Sequence, residues 1–317
     1  MKKIGILTRD CAGVNACIRS VVRVAVHQGV EVLGVMRGYE GLIDGDFKQL
    51  NRRSVSGVIG LGGTILKTAR ASRFRTEKWQ IEAVKNIKDN NLDGLIVVGG
   101  NGSLTAAHIL ASKYGVPLIG IPATIDNDVN GVNDTIGADT AINVALDALD
   151  KIRDTATSLE RIFVVEVMGR DCGYIALQVA LAGGCEEVIL PERDFDIDAM
   201  CDEITAGNTR GKVSWIIAVA EGKAKAYDIA NKINEKTGLE TREVVLGHVQ
   251  RGGAPTAKDR ILAARLGQAA VNKLLSGETD KCVTMCCGET KTVSLEEAVK
   301  PKAFKVDCCY QLIKILT

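Results

Sequence analysis

Short apolar runs rich in β-branched residues alternate with longer amphipathic stretches along most of the chain. The short runs are apolar almost throughout rather than at every second position, which is typical of strands covered on both faces. Eight of them predict strands: Lys3–Leu7, Glu31–Met36, Gly94–Val98, Pro117–Ile121, Arg161–Val167, Glu187–Leu190, Ser214–Val219 and Glu243–Leu246.

The longer stretches place apolar residues three and four apart, which predicts helices with one buried face. Examples are Val14–Gln28, Glu77–Asn90, Ser103–Lys113, Ala141–Arg153 and Arg260–Leu275. Because strands and helices alternate, we predict an α/β fold with doubly wound, mainly parallel sheets. No internal repeat or low-complexity segment marks a boundary between domains.

Length and composition narrow the class of protein. The 317 residues suffice for two domains, and 46% hydrophobic with 25% charged residues is ordinary for a globular protein. Forty basic and thirty-nine acidic residues nearly cancel, so nothing favours nucleic acid or an acidic membrane as partner. The ten cysteines form no C-x-x-C pair, and no apolar run approaches membrane-spanning length; we expect a cytoplasmic protein with unpaired thiols.

Ligands of doubly wound sheets bind beyond the carboxyl ends of the strands, so we expect the functional residues at those positions. Gly100, Asn101, Gly102 and Ser103 follow the strand that ends at Val98 and open a helix. Glycines let a backbone approach an anion, and a helix N-terminus offers free N–H groups to it. The alternative is a plain tight turn with Ser103 as the N-cap.

Polar side chains also follow the next predicted strand. Thr124, Asp126 and Asp128 are spaced two apart directly after it. A hydroxyl and two carboxylates at a strand end suit a substrate hydroxyl, a general base and a metal. The alternative is an Asx-turn cluster that caps the following segment.

Arginines and a histidine follow the later strands. Met168, Gly169 and Arg170 come after one strand and Glu221 after another, and the last strand region brings further basic residues: Arg242, His248 and Arg251. Arginine suits phosphate because its planar fork donates two parallel hydrogen bonds. Each residue alone is as easily a surface charge or a structural histidine, and only their joint position at strand ends favours an anion site.

Four segments together resemble the phosphofructokinase family: Thr124–Asp128, Val165–Arg170, Ala182–Glu186 and Leu246–Gly253. The similarity spans essentially the whole chain. It implies two α/β lobes, a large donor-binding lobe and a smaller sugar-phosphate lobe. By resemblance, residues 1–137 with 250–298 form the first, and residues 138–249 with 299–317 form the second. It also implies a homotetramer with shared active sites.

The resemblance implies a role for each matching residue. Asp126 would be the base that takes the proton from the sugar 1-hydroxyl, Thr124 would hold the transferring phosphoryl group, and Arg170 would stabilise its charge. Asp128 would support the site and its Mg²⁺. The implied substrate-binding residues for fructose 6-phosphate are Arg161, Met168, Gly169, Glu221, Arg242, His248 and Arg251. Arg161 and Arg242 match arginines that the family reaches across from a neighbouring subunit.

The donor side departs from the family pattern, in which the first loop usually contains a Ser-Gly-Gly-Asp run. Here Thr8 is followed by Arg9, and the loop is about two residues shorter. Arg9 is a hypothetical replacement contact for the donor phosphates. Asn101 stands where the family usually has a Mg²⁺-associated Asp, which should weaken binding of the cation. The implied cofactor-binding residues for ATP are Arg9, Gly13, Arg70, Gly100, Asn101, Gly102 and Ser103, with Asn101 and Asp128 for the metal.

Three functions remain open at this point. The first is an ATP-dependent phosphofructokinase with an unusual donor loop. The second is a pyrophosphate-dependent enzyme, against which Gly102 and Ala123 stand where such enzymes usually have Asp and Lys. The third is a catalytically weak regulatory or sugar-phosphate-binding subunit, against which the retained Asp126, Thr124 and Arg170 stand.

A second set of charged residues matches the family's bacterial allosteric site for ADP and phosphoenolpyruvate. Its members are Arg19, Arg23, Arg52, Arg153, Glu186, Arg210 and Lys212. Arg19 and Arg23 are four apart on a predicted helix and so share one face. The alternative is a set of surface charges with local ion pairs.

Overall fold

A computed structural model describes all residues, 1–317, as two compact units. Unit 1 comprises Met1–Thr140 and Arg251–Lys302, and unit 2 comprises Ala141–Gln250 and Ala303–Thr317. Each unit contains a sheet with helices packed on it, so the predicted α/β class with mainly parallel sheets is confirmed.

Unit 1 is built on a seven-stranded sheet in the order β11-β10-β5-β4-β1-β2-β3. The five central strands are parallel, whereas the edge strands β3 and β11 pair antiparallel with their neighbours. The strands are β1 Lys3–Thr8, β2 Glu31–Val35, β3 Phe47–Leu50, β4 Gly94–Gly99, β5 Leu118–Pro122, β10 Lys281–Cys286 and β11 Glu289–Ser294.

Helices cover both faces of this sheet. Its six helices are α1 Val14–His27, α2 Tyr39–Asp44, α3 Glu77–Asp89, α4 Asn101–Tyr114, α9 Ala257–Leu275 and α10 Leu295–Ala298. Leu95 and Val97 of β4 pack into a core shared with α2, α3 and α4, while the alternate residues Ile96 and Val98 are equally buried on the other face. Burial on both faces explains why β4 is apolar at every position.

Unit 2 contains a four-stranded, fully parallel sheet in the order β7-β8-β6-β9. Its strands are β6 Ile162–Val167, β7 Glu187–Ile189, β8 Trp215–Ala220 and β9 Thr241–Val245. The helices are α6 Tyr174–Gly183, α7 Ile197–Thr209, α8 Ala226–Thr237 and α11 Asp307–Leu316, together with most of α5 Ala138–Leu159, which starts in unit 1. Ile162 and Ile217 lie in a core formed with α7 and α8.

The structure differs from the sequence-based expectation at three points. The edge strand β3 and the hairpin of β10 and β11 were not predicted, because polar residues interrupt their apolar runs. Helix α4 begins at Asn101 with Gly100 as its N-cap, so the alternative that made Ser103 the cap is wrong. Strand β9 begins two residues earlier than predicted, at Thr241, which places Arg242 on the strand.

None of the helices is long and apolar enough to cross a membrane. All ten cysteines are free thiols.

A buried carboxylate, Asp259 of α9, ties two segments of unit 1 together. Its Oδ1 accepts a hydrogen bond from Gly137 N at 2.9 Å, and its Oδ2 accepts from the backbone N of Thr140 at 2.8 Å and from the Thr140 hydroxyl. Burial raises the pKa of this carboxyl, and the donated hydrogen bonds oppose that rise. Asp259 therefore caps the first turn of α5 from a neighbouring helix.

We predict that Asp259→Ala destabilises the protein by about 3 kcal/mol, because three buried donors lose their acceptor. Urea unfolding followed by circular dichroism measures the change. Asp89→Ala is the control, since Asp89 is an exposed carboxylate on α3, and it should change stability by less than about 0.5 kcal/mol. Equal effects of the two substitutions would show that the capping interaction contributes nothing.

Candidate active site

In unit 1, the expected catalytic and donor residues follow three neighbouring strands. Strands β1, β4 and β5 lie side by side and parallel, so their carboxyl ends meet at one edge of the sheet. Arg9 follows β1, Gly100 to Ser103 follow β4, and Thr124 to Asp128 follow β5. The structure thus brings the predicted loops of this unit together.

Asp126 is the best-buried carboxylate at this edge, with 2% of its surface exposed. The Thr124 hydroxyl donates to Asp126 Oδ2 at 3.2 Å and accepts from Asp126 N, also at 3.2 Å. Thr135 Oγ1 in turn donates to the carbonyl of Thr124 at 2.6 Å. These hydrogen bonds fix the carboxylate at the strand end, as a general base requires.

Asn101 and Asp128 offer two buried oxygens at the same edge. Asn101 Nδ2 donates to the backbone carbonyl of Asp128 at 3.2 Å, which joins the two loops. Asn101 Oδ1 and Asp128 Oδ1 are both buried and accept no hydrogen bond. A buried oxygen that accepts no hydrogen bond costs folding free energy, and a hard cation would satisfy both oxygens. No group of three or more His, Cys, Asp or Glu is gathered in the chain. Two protein oxygens are what a Mg²⁺ that keeps waters and phosphate oxygens needs.

Gly100 allows the loops after β4 and β5 to approach each other, and Gly99 allows the first turn of α4 to pack against the end of β4. A Cβ on Gly100 would lie 3.1 Å from Thr124 Cβ, and one on Gly99 would lie 2.7 Å from Ser103 Cβ. By contrast, a Cβ on Gly102 would meet nothing within 4 Å. Gly102 is exposed at the start of α4, where backbone N–H groups point outward, so it suits an anion-binding position.

The short first loop is braced against the segment of residues 61–69. Arg9 Nη1 donates to the carbonyl of Ala69 at 2.6 Å, Asp10 Oδ1 accepts from Thr64 N at 2.8 Å, and Asn15 Nδ2 donates to Gly63 O at 2.7 Å. Arg70 follows directly and is exposed. Arg9 therefore orients the backbone next to Arg70, a contact that the sequence alone did not indicate.

Gly13 shapes the end of the same loop. Its φ of 95° lies in the left-handed region, and a Cβ there would lie 2.8 Å from the Ile136 side chain. It is the N-cap of α1 and has no side chain to donate or accept. Glycine is therefore required for the loop to turn into the helix.

In unit 2, β8, β6 and β9 are parallel neighbours, and four of the expected site residues follow β6 or β8. Met168, Gly169 and Arg170 follow β6, and Glu221 follows β8. Glu221 Oε1 accepts hydrogen bonds from Gly169 N at 3.1 Å and Arg170 N at 3.0 Å. The carboxylate expected to touch the sugar thus also holds the loop that presents Arg170.

This loop has a backbone that few residues tolerate. Arg170 has a φ of 52° and Gly169 a φ of 145°, and a Cβ on Gly169 would lie 2.5 Å from Cys172 O. A Cβ on Gly222 would lie only 1.9 Å from the carbonyl oxygen of Arg170. A non-glycine residue with positive φ is strained, and such strain clusters at functional sites.

Gln250 was missed as a site residue, although it lies inside the segment Leu246–Gly253 that supports the resemblance. It is fully buried, and its Oε1 accepts from Met168 N at 2.8 Å. Its buried Nε2 donates no hydrogen bond. The signal available in the sequence was a glutamine directly before Arg251 and two glycines, and the structure shows that its buried amide satisfies a backbone donor.

The remaining substrate residues lie in several places. Arg161 precedes β6 and Arg242 lies on β9, and both pair with Glu240. His248 is exposed in a 3₁₀ turn after β9, and Arg251, at the end of that turn, belongs to unit 1.

The expected effector residues divide between the two units. Arg19 and Arg23 lie on α1 and Arg52 follows β3, all in unit 1. In unit 2, Arg153 Nη2 donates to the carbonyls of Gly183 and Gly184, the latter at 2.8 Å.

Among the expected effector residues of unit 2, Glu186 makes contacts with both a side chain and the backbone. Its Oε1 pairs with Lys212 Nζ at 3.4 Å, and its Oε2 accepts from Ile216 N at 2.7 Å. Arg153, Glu186 and Lys212 therefore lie near one another, whereas Arg210, at the end of α7, is exposed.

A cavity of about 550 Å³ lies elsewhere in unit 1 and contains none of the expected site residues. Its lining includes Asn133, Lys258, Ile261, Arg265 and Met285.

Comparison with known proteins places this arrangement in a family. The phosphofructokinase family model matches residues 3–274, most of the chain. The chain belongs to the phosphofructokinase family. The resemblance inferred from the four segments is thereby confirmed.

Two curated phosphofructokinases and one solved structure illustrate the relation. The chain is 48% identical to a protein of Halothermothrix orenii, with full coverage of both chains, and 49% identical to one of Thermotoga petrophila, with 95% of each covered. Both are named ATP-dependent 6-phosphofructokinase. The phosphofructokinase structure of Saccharomyces cerevisiae superposes with a TM-score of 0.87 at 34% identity over 94% of this chain. The chain spans 45% of that yeast protein.

We predict that Gly222→Ala destabilises the protein by about 1–3 kcal/mol, because the new methyl group would overlap the Arg170 carbonyl and displace the strained loop. Urea unfolding measures the loss. Gly60→Ala is the matched control, since its Cβ would come no closer than 3.9 Å to Arg260. Indistinguishable unfolding midpoints for the two variants would contradict the close packing of this loop.

Proposed function

We propose that this chain is an ATP-dependent 6-phosphofructokinase, which transfers the γ-phosphoryl group of ATP to the 1-hydroxyl of fructose 6-phosphate. The observation that carries the proposal is the buried Asp126 carboxylate, held by Thr124 beside the glycine loop that opens α4. The names of the relatives described above support the same reaction and favour neither of the two alternatives.

In this proposal Asp126 accepts the proton of the attacking hydroxyl, and Thr124 holds the carboxylate in place. Arg170 offers its guanidinium to the negative charge that spreads over the moving phosphoryl group. Phosphoryl transfer needs little covalent help, so positioning and charge neutralisation supply most of the rate enhancement. One base, arginines and backbone N–H groups are therefore sufficient protein machinery.

The donor contacts in the proposal are Arg9, Gly13, Arg70 and the start of α4. Asn101 and Asp128 would hold Mg²⁺, which neutralises charge on the donor phosphates when bound. Their buried, unsatisfied oxygens support this assignment. The neutral amide of Asn101 gives up one negative charge relative to a carboxylate, so we expect a modest affinity for the cation.

The sugar-phosphate contacts in the proposal are Arg161, Met168, Gly169, Glu221, Arg242, His248 and Arg251. Arg161 and Arg242 would serve the active site of a neighbouring subunit, so the proposal requires an oligomer with shared sites, which we take to be a homotetramer. The second charged set would bind ADP or phosphoenolpyruvate as effectors. We place this activity in the cytoplasm.

Asp126→Asn tests the central claim. We expect kcat to fall by roughly 10²–10⁴-fold, because the amide cannot accept the hydroxyl proton. The measurement is fructose 1,6-bisphosphate formation from fructose 6-phosphate and Mg²⁺, with ATP and with pyrophosphate supplied in parallel.

The unfolding midpoint of the variant serves as the control for correct folding. Turnover with ATP that Asp126→Asn leaves within tenfold of the parent would remove Asp126 as the base. Turnover with pyrophosphate alone would favour the pyrophosphate-dependent enzyme. Absence of turnover with either donor, despite binding of fructose 6-phosphate, would favour the regulatory subunit.

The metal assignment predicts opposite effects for adding a negative charge at Asn101 and for removing one at Asp128. Asn101→Asp should lower the Mg²⁺ concentration for half-maximal activity several-fold, because a carboxylate binds a hard cation more strongly than an amide. Asp128→Asn should raise it. Titration of activity with Mg²⁺ at fixed ATP gives both values, and a shift of the two variants in the same direction would exclude this pair as the ligands.

A further inference from the structure

Glu240 joins the two arginines that the proposal assigns to the sugar 6-phosphate. Strands β6 and β9 are parallel neighbours in which Ile162 stands opposite Thr241, so Arg161 and Glu240 flank that register position. Glu240 Oε2 contacts Arg161 Nε at 2.8 Å, and Oε1 contacts Arg242 Nη2 at 2.6 Å and Nε at 3.1 Å. One carboxylate therefore links both guanidinium groups.

The cluster is open to a ligand. The side chain of Arg161 is 30% exposed, that of Arg242 is 58% exposed and that of Glu240 is 46% exposed. The contacts with Glu240 use Nε of Arg161, and Nε and Nη2 of Arg242. Since each guanidinium has five N–H groups, several remain for an anion.

The negative charge of Glu240 stabilises the two guanidinium groups beside it. Arg242, and then Arg161, lower the pKa of Glu240, so the group is ionised at neutral pH. Two guanidinium groups side by side would repel each other, and long exposed side chains lose freedom when they are held together. An ionised carboxylate between them offsets the repulsion and limits the orientations that each arginine adopts.

We propose that Glu240 is a positioning residue that gathers Arg161 and Arg242 into a single phosphate-binding pair. This inference rests on the proposed function, which assigns both arginines to the 6-phosphate of the sugar. A phosphate that meets two oriented guanidinium groups accepts hydrogen bonds from both at once. The ordering of two flexible side chains is then completed before the sugar binds.

Glu240→Gln tests the inference, because it removes the charge and keeps the shape. We expect KM for fructose 6-phosphate to rise roughly five- to tenfold, which corresponds to the cost of ordering two side chains at binding, with kcat within about twofold of the parent. Glu243→Gln is the matched control: Glu243 is an exposed carboxylate on β9, three residues after Glu240, and makes no ion pair. That variant should leave both constants unchanged.

A double-mutant cycle with Arg161→Ala separates positioning from a general effect of charge. If Glu240 acts through Arg161, Glu240→Gln should raise KM less in the Arg161→Ala background than in the parent. A fall in KM in Glu240→Gln would show that the carboxylate competes with phosphate, and an unchanged KM would show that it does nothing; either overturns the inference. If neither Arg161→Ala nor Arg242→Ala raises KM, the assignment of the arginines in the proposed function is wrong as well.

Discussion

The parallel pairing of β4 with β5 is the constraint on which the candidate catalytic centre depends. Their register places Gly99 opposite Pro122, so the two following loops leave the sheet at the same level. Asn101 can therefore donate to the Asp128 carbonyl, and Gly100 can approach Thr124. A shift of one residue would turn alternate side chains to the opposite face and separate these groups.

Much of the fold could be predicted from the sequence because the central strands are buried on both faces. Such strands give apolar runs that local pattern detects, as in β4 and β8. The edge strands β3 and β11 were not predicted because they have exposed polar positions. Their pairing also depends on strands that are not recognisable from the local pattern. Local pattern contains no information about a partner that lies far along the chain.

In the candidate site, the identity of the functional side chains could be predicted from the sequence, whereas their contacts with the backbone could not. Asp126, Thr124 and Arg170 were identified from their positions after strands and from the family resemblance. The contacts that brace the surrounding loops were not identified, since Arg9 binds the carbonyl of Ala69, Glu221 binds the backbone of Gly169 and Arg170, and Gln250 binds the backbone of Met168. A backbone acceptor or donor exists at every residue, so sequence alone gives no reason to choose one.

The edges of the seven-stranded sheet have a consequence for how copies of the chain associate. Strand β3 is only four residues long and exposes Lys48 and Gln49, while β11 exposes Glu289 and Lys291. Short, charged edges resist strand addition from another molecule. The sheet of unit 1 is therefore a poor template for fibrils, because neither edge favours continuation of the hydrogen-bond ladder into a second copy.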